Sequence, residues 1–237
     1  MRAERCASTL RVMAVTALTH VGTLLADGTR ASMLSVLMDG RARTAGELAR
    51  QVGVASSTAS EHLSRLLDAQ FVAVDAQGRH RYYRLAGADV AELLETLGAI
   101  EVPSTARRKP TTNAPSELLY ARSCYDHLAG RLGVRIYDFL LDRGHLERDD
   151  DHLTVRPSGR AVLEGLGVDV DAAVRATRPT ARRCVDWTER RHHLAGATGA
   201  ALFDALLARR WLVRGTRPRS VRVTTAGQRG LDVLLAT

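Results

Sequence analysis

The chain has 237 residues, 45% of them hydrophobic, and 34 lysines and arginines against 26 acidic residues give a net charge of +8. That is enough apolar material for one large or two ordinary domains, and it excludes a disordered chain. No apolar run reaches the roughly eighteen residues of a membrane span, and the charged start at Arg2, Arg5 and Arg11 is followed by no signal cleavage site. The three scattered cysteines, Cys6, Cys124 and Cys184, describe no disulfide framework, so a cytoplasmic protein with free thiols is expected. The positive excess favours a polyanionic partner, but the first hundred residues are nearly balanced and charge alone does not locate its site.

In chain order, a Ser8 cap opens a helix to about Leu25 with Leu10, Val12, Met13, Val15, Leu18, Val21 and Leu25 on a broad apolar face. That face exceeds what one small domain buries and leaves surface for a partner subunit. Asp27-Gly28-Thr29 breaks the run, and Met33, Leu34, Val36 and Leu37 mark a second helix ended by Asp39-Gly40. Thr44-Ala45-Gly46-Glu47 is a capping box that fixes a third helix start, stopping at Gly53. A Ser56-Ser57-Thr58 cap then opens a fourth helix bearing Ala59, Leu63, Leu66 and Leu67. Phe71 to Val74 and Arg81 to Leu85 are strand-like runs around a loop over Asp75 to His80, which reads as a wing. Val90, Leu93, Leu94 and Leu97 give a last amphipathic helix, expected to close this unit against the first helix or its copy in a second subunit.

Two short helices about a glycine, followed by a wing, place the fourth helix in a major groove of duplex DNA. Ser56, Ser57, Thr58, Ser60, His62 and Arg65 are therefore the candidate DNA-binding residues on that helix, with Glu61 among them, and Arg79, His80 and Arg81 are the candidates at the wing tip.

The segments Leu24-Ala26-Asp27-Gly28-Thr29-Arg30, Thr44 to Ala49, Ser57 to Leu63 and Gly78 to Leu85 resemble, in order and spacing, the ArsR family of winged-helix regulators over roughly residues 10 to 100. The resemblance implies a homodimer built through the first and last helices of the unit, a palindromic double-stranded operator, and repression relieved by an inducer. Glu61 and Ser64 depart from the basic residues often found there in the family. The metal sites of many members are also missing: residues 44 to 52 carry no cysteine, and the last helix offers Asp89, Glu92 and Glu95 without histidine. A signal is therefore expected to enter through the C-terminal part.

A Pro-rich stretch over 102–116 reads as a linker between a winged helix-turn-helix over 1–101 and a sensor or oligomerisation lobe over 117–237. The lobe repeats itself. His127-Leu128-Ala129-Gly130, Gly133, Asp138 and Leu146 recur 66 residues on as His193-Leu194-Ala195-Gly196, Gly199, Asp204 and Leu212, and Val155, Gly159 and Leu163 recur as Val223, Gly227 and Leu231. Copies over about 124–167 and 184–235, each read as helix, helix, hairpin, helix, suggest two winged-helix-like units about a pseudo-twofold axis. The expected fold class is thus mainly α with small β-hairpins.

Cys124-Tyr125-Asp126-His127 and Cys184-Val185-Asp186-Trp187 each precede a His-Leu-Ala-Gly. Three readings stay open for them. A pocket between the copies, lined by Tyr125, His127, Trp187, Arg190 and His193 beside the two cysteines, would take an unidentified small-molecule effector. Cys124, His127, Cys184 and His192 or His193 would form a four-ligand metal site if the copies face each other, or the two thiols would act as a switch. A polar core that pins the repeats together is the third. No resident cofactor is expected. Arg214, Arg217 and Arg219, on a second wing-like hairpin, are candidates for phosphate contacts outside the operator centre.

An enzyme with Cys124 or Cys184 as nucleophile is set aside: the chain has no phosphate-cradling glycine loop, nucleophile elbow or glutamate-histidine metal motif. A dimeric scaffold with a retired DNA head is the remaining rival, favoured by Glu61.

Overall fold

The structure, a computed structural model, describes residues 15–100, 116–149 and 152–236, without the side chains of Ala99 and His152. The predicted Ser8 cap, Leu10, Val12 and Met13, Cys6 and the linker residues up to Pro115 lie outside the described residues. The rest divides into two compact units: the residues up to Leu37 with Arg41–Gly87, and Met38–Gly40 with the residues from Ala88 onward.

The first unit opens on helix α1 (residues 15–25). The Asp27 carboxylate accepts the Arg30 N–H (2.9 Å) and opens α2 (Gly28–Leu37). Arg30 itself is buried and turns back to α1, donating to the carbonyls of Leu24 (2.6 Å) and Thr23 (3.0 Å), which would otherwise end that helix unpaired. After β1 (Arg43–Thr44), the capping box closes as expected on α3 (Ala45–Val52). The Thr44 hydroxyl accepts the Glu47 N–H, the Thr44 N–H donates to Glu47 Oε2 (2.8 Å), and Gly53 ends the helix at φ 75°.

Helix α4 (Ser56–Asp68) buries Ala59, Leu63 and Leu66. Its N-cap is Ala55, with no side-chain cap bond, so Ser56-Ser57-Thr58 occupy the first turn and do not cap it. β2 (Val72–Gln77) and β3 (His80–Leu85) pair from Val72↔Leu85 to Gln77↔His80. The strands therefore run on through the expected six-residue loop and leave a two-residue turn, Gly78-Arg79, with Gly78 at φ 58°. β1 adds the outer edge through Arg43↔Tyr83, giving the order β1-β3-β2. Met33, Leu34, Leu37, Leu48, Leu63, Leu66 and Leu85 are fully buried and form the core.

Helix α5 (Ala88–Ala99), expected to close the winged unit, belongs by its contacts to the second unit. It packs on β8, where Glu92 pairs with Arg182 and the buried Glu95 pairs with Arg219. Two of its three acidic residues, Glu92 and Glu95, are matched by arginines of the lobe, which its apolar spacing alone did not reveal.

The lobe continues with α6 (Ser116–Tyr120), the hairpin β4 (Arg122–Cys124) and β5 (His127–Ala129), α7 (Gly130–Asp142), the hairpin β6 (Leu146–Asp149) and β7 (His152–Val155), then α8 (Pro157–Gly165) and α9 (Val170–Arg175). The second copy is β8 (Arg182–Val185) and β9 (His192–Ala195), α10 (Gly196–Ala208), β10 (Leu212–Arg214) and β11 (Val221–Val223), and α11 (Thr225–Ala236). Each copy thus reads hairpin, helix, hairpin, helix, and a hairpin stands where the first helix was expected. Two-residue pairing across Tyr125-Asp126, with Tyr125 at φ 58°, closes the first hairpin. In the second, Asp186 Oδ1 accepts the N–H groups of Thr188 (2.9 Å) and Glu189 (3.1 Å) and turns a longer loop.

The repeated glycines mark where the copies interlock. A Cβ on Gly133 would lie 2.5 Å from the Leu128 carbonyl oxygen and 3.6 Å from His193 Cβ; one on Gly199 would lie 2.5 Å from the Leu194 carbonyl oxygen and 3.5 Å from His127 Cβ. Each long helix therefore rides on its own hairpin and against the histidine of the other copy, over a core shared by Leu132, Ile136, Leu140, Leu202, Phe203 and Leu206.

Candidate functional site

Two places carry the candidate residues. In the first unit α4 turns its apolar stripe inward, and Ser56, Ser57, Ser60 and Arg65 are exposed, with Thr58 half-buried. Because no side chain caps α4, the N–H groups of its first turn are open to an external acceptor such as a phosphate oxygen. Arg79, His80 and Arg81 are exposed at the wing tip. An open groove of about 460 Å³ runs between the start of α3 at Gly46, the Ser60 and Ser64 edge of α4, and Arg79, His80 and Arg81. Its walls carry the hydroxyls of Thr44, Ser60 and Ser64 on the helix side and Arg79, His80 and Arg81 on the wing side.

Two of the residues placed in that row serve otherwise. His62 is half-buried, its Nδ1 3.8 Å from Asp27 Oδ1 and 3.5 Å from Arg30 Nη1, so it braces the junction of α1 and α2 and does not face outward. Position 62 borders the buried stripe of Ala59, Leu63 and Leu66, and the acid it meets is far away in sequence. Arg65 is exposed but paired with Glu61 at 2.6 Å, which offsets its charge and leaves the wing as the main cationic element.

Two of the arginines of the β10–β11 hairpin are likewise engaged within the second unit. Arg219 donates to the Ser123 carbonyl (3.0 Å) and pairs with Glu95, and Arg214 donates to the Asp39 carbonyl (3.3 Å) and lies over the Phe203 ring. The expected row of three phosphate-seeking side chains is not formed, since two of its members have internal partners.

The second place lies where the two hairpins meet. Cys124 stands opposite His127 and Cys184 opposite His193, so each pair shares one face of its hairpin. The four side chains are buried and their ligand atoms lie within 4.8 Å of one another. The two sulfur atoms are 3.9 Å apart and the two Nε2 atoms 3.1 Å apart. His192, one residue earlier on β9, points to the other face and is outside the group, because side chains alternate along a strand.

Each histidine has an acid behind it. His127 Nδ1 is 3.1 Å from Asp126 Oδ1, and Asp126 is ion-paired with Arg178. His193 Nδ1 is 3.8 Å from Asp186 Oδ2, and Asp186 forms a fully buried pair with Arg122 (2.8 Å). Burial pushes the Cys124 thiol well up, aided by its contact with Cys184. Burial and then the charge of His127 hold His193 well below the usual imidazole range. Burial also opposes charge on His127, but Cys124 and Asp126 beside it prevail and raise it to about 9. Asp126 and Asp186 escaped notice as functional residues, although the repeated Cys-x-Asp pointed to them.

The pocket expected between the copies is not assembled as foreseen. Trp187 lies under the Arg122 guanidinium (4.9 Å) and against Gly98, while Arg190 is exposed in the β8–β9 loop. Of the expected set, Tyr125, His127 and Cys184 reach a cavity, which they line with Asp126, Arg178 and Arg182. Its volume is about 40 Å³. That admits a few water molecules or an ion, far below the roughly 300 Å³ of an organic-ligand pocket.

A model described as a helix-turn-helix domain matches residues 25–75. An HTH-type transcriptional regulator of Bacillus subtilis, YdfF, itself described as uncharacterized, is 40% identical over 208 residues, 88% of this chain and 92% of that protein. The HTH-type transcriptional regulator CmtR of Mycobacterium tuberculosis is 34% identical over 108 residues, 43% of this chain and 91% of CmtR. Among solved structures, the homodimeric winged helix-turn-helix DNA-binding domain of a possible ArsR-family regulator from Mycobacterium bovis aligns with 37% of this chain and 80% of its own, at 32% identity and a TM-score of 0.35. No helix among the described residues is long and apolar enough to cross a membrane.

Proposed function

This chain belongs to the HTH-type transcriptional regulators, and from that premise we propose that it is a homodimeric repressor of ArsR-like winged-helix form whose hold on a palindromic operator is set by a ligand taken up in the C-terminal lobe. The observation that carries the DNA half is the outward face of α4. Ser56, Ser57 and Ser60 are exposed on a helix whose start has no side-chain cap, and Arg79 and Arg81 flank the groove that Ser60 lines. The serines reach base edges and nearby phosphates, while the wing arginines hold the neighbouring backbone and fix register.

The dimer half is supported by α1, where Val15 is 60% and Leu18 72% exposed. Apolar side chains that far out on one helix are covered at least cost by a twofold-related copy, since a symmetric contact buries the same residues twice. Two copies then set two α4 helices about 34–36 Å apart, one turn of duplex. Ligand control through the lobe is supported by the four buried Cys and His side chains and the cavity beside them.

Hydroxyl-radical footprinting on the DNA upstream of the protein's own gene tests this reading. The expected result is two protected half-sites, related by a dyad and centred about 10 base pairs apart. A single half-site, or protection with no preferred position, overturns it.

A further inference from the structure

We propose that Cys124, His127, Cys184 and His193 hold one tetrahedral divalent d-block cation of the zinc class, two ligands from each repeat. In a regular tetrahedron the ligand separation is about 1.6 times the bond length. Bonds of about 2.3 Å to sulfur and 2.0–2.1 Å to nitrogen then require about 3.8 Å between sulfurs and 3.3 Å between nitrogens. The hairpins already hold the sulfurs at 3.9 Å and the Nε2 atoms at 3.1 Å. With every pair inside 4.8 Å, closure on an ion requires movements of at most about 1 Å.

The surroundings are those of a ligand set. Both imidazoles turn Nε2 inward and Nδ1 towards a carboxylate, the arrangement that fixes the tautomer and strengthens nitrogen as a donor. The two carboxylates are themselves held by Arg178 and Arg122. His193 Nδ1 is buried without a hydrogen-bond partner, so a small turn towards Asp186 completes its support. The cavity bordered by His127 and Cys184 gives an ion a way in. Two thiolates and two neutral imidazoles leave a neutral centre around a dication, which suits a buried site, and sulfur ligands select against magnesium and calcium. Gly133 and Gly199 let each helix approach the opposite histidine closely enough to fix its ring.

Cobalt(II) is the probe. Metal-stripped full-length protein is expected to take up one equivalent per chain, developing the intense visible absorption of tetrahedral cobalt together with a sulfur-to-cobalt charge-transfer band, and Zn²⁺ is expected to displace it. Cys124→Ser with Cys184→Ser should abolish the charge-transfer band. Asp126→Asn, which leaves all four ligands in place, should weaken cobalt binding about 10–100-fold. His192→Ala, on the opposite face of β9, should leave the spectrum unchanged. A pale octahedral spectrum, no uptake, or a spectrum indifferent to the double cysteine variant overturns the site. Should the double variant fail to fold, the wild-type spectrum and Asp126→Asn still decide. Any control of DNA binding by this cation rests on the function proposed above; its uptake does not, and the cobalt spectrum and the footprint report on the two separately.

Discussion

Replacing Asp186 with alanine is expected to destabilise the C-terminal unit by about 3–5 kcal/mol, because it leaves the Arg122 guanidinium buried without its counter-charge. The pair is sealed, with side-chain exposures of 1% and 0% and a 2.8 Å contact. Burial alone would raise the Asp186 carboxyl out of its charged form, but Arg122 overrides it and holds the group well below the ordinary carboxylate range. The same carboxylate accepts the Gly130 N–H (2.7 Å) at the start of α7 and the Thr188 hydroxyl (2.7 Å), so one substitution unties the hairpin, its loop and the facing helix. Urea unfolding followed by circular dichroism, with a chelator present throughout, measures the loss. An Arg122→Met, Asp186→Leu double variant should recover only the part due to the unpaired guanidinium, since packed apolar side chains need no counter-charge but cannot accept the Gly130 N–H. A loss below about 1 kcal/mol for Asp186→Ala would show that the pair does not hold the repeats together.

The second large effect is expected at the wing. Arg79→Ala with Arg81→Ala should weaken operator binding roughly 10²–10⁴-fold, from two charge-assisted contacts worth about 1.5–3 kcal/mol each. It should also flatten the dependence of log K on log salt by about 2, at roughly 0.9 per phosphate released. Arg79 in the two-residue turn and Arg81 next to it on β3 are both exposed, so folding stability should change little. Anisotropy titrations across a salt series read both quantities. Because Glu61 already offsets Arg65, the wing is the part of this unit where removing charge costs most. An unchanged salt slope would place the DNA elsewhere.

Much of the first unit was legible because its signals are local. Thr44 and Glu47 sit three apart and cap each other, Gly53 supplies the left-handed residue that ends α3, and Met33, Leu34 and Leu37 keep helical spacing on the buried side of α2. What escaped was decided by partners distant in sequence. β1 is two residues long and exists only through pairing with Tyr82 and Tyr83. Arg219 looked like a free cation until Glu95, 124 residues away, met it.

In the lobe, the copies and their order could be read from the repeated glycines, but not the hairpin at the head of each copy. Arg122 to Cys124 and His127 to Ala129 are buried on both faces, which removes the alternation that identifies a strand. The four-residue constellation was foreseen as one reading among several. Register alone separates His193 from His192, and register follows from the pairing of Cys184 with His193.

Central to this account is that two copies of α4 read one duplex together. Sedimentation of the full chain with DNA from its own upstream region, against a random duplex of equal length, measures that directly. Two chains per duplex and a preference of at least about 10³ over the random sequence are expected. One chain per duplex, or equal affinity for both DNAs, would contradict the account and leave a scaffold that only carries the shape of a DNA reader.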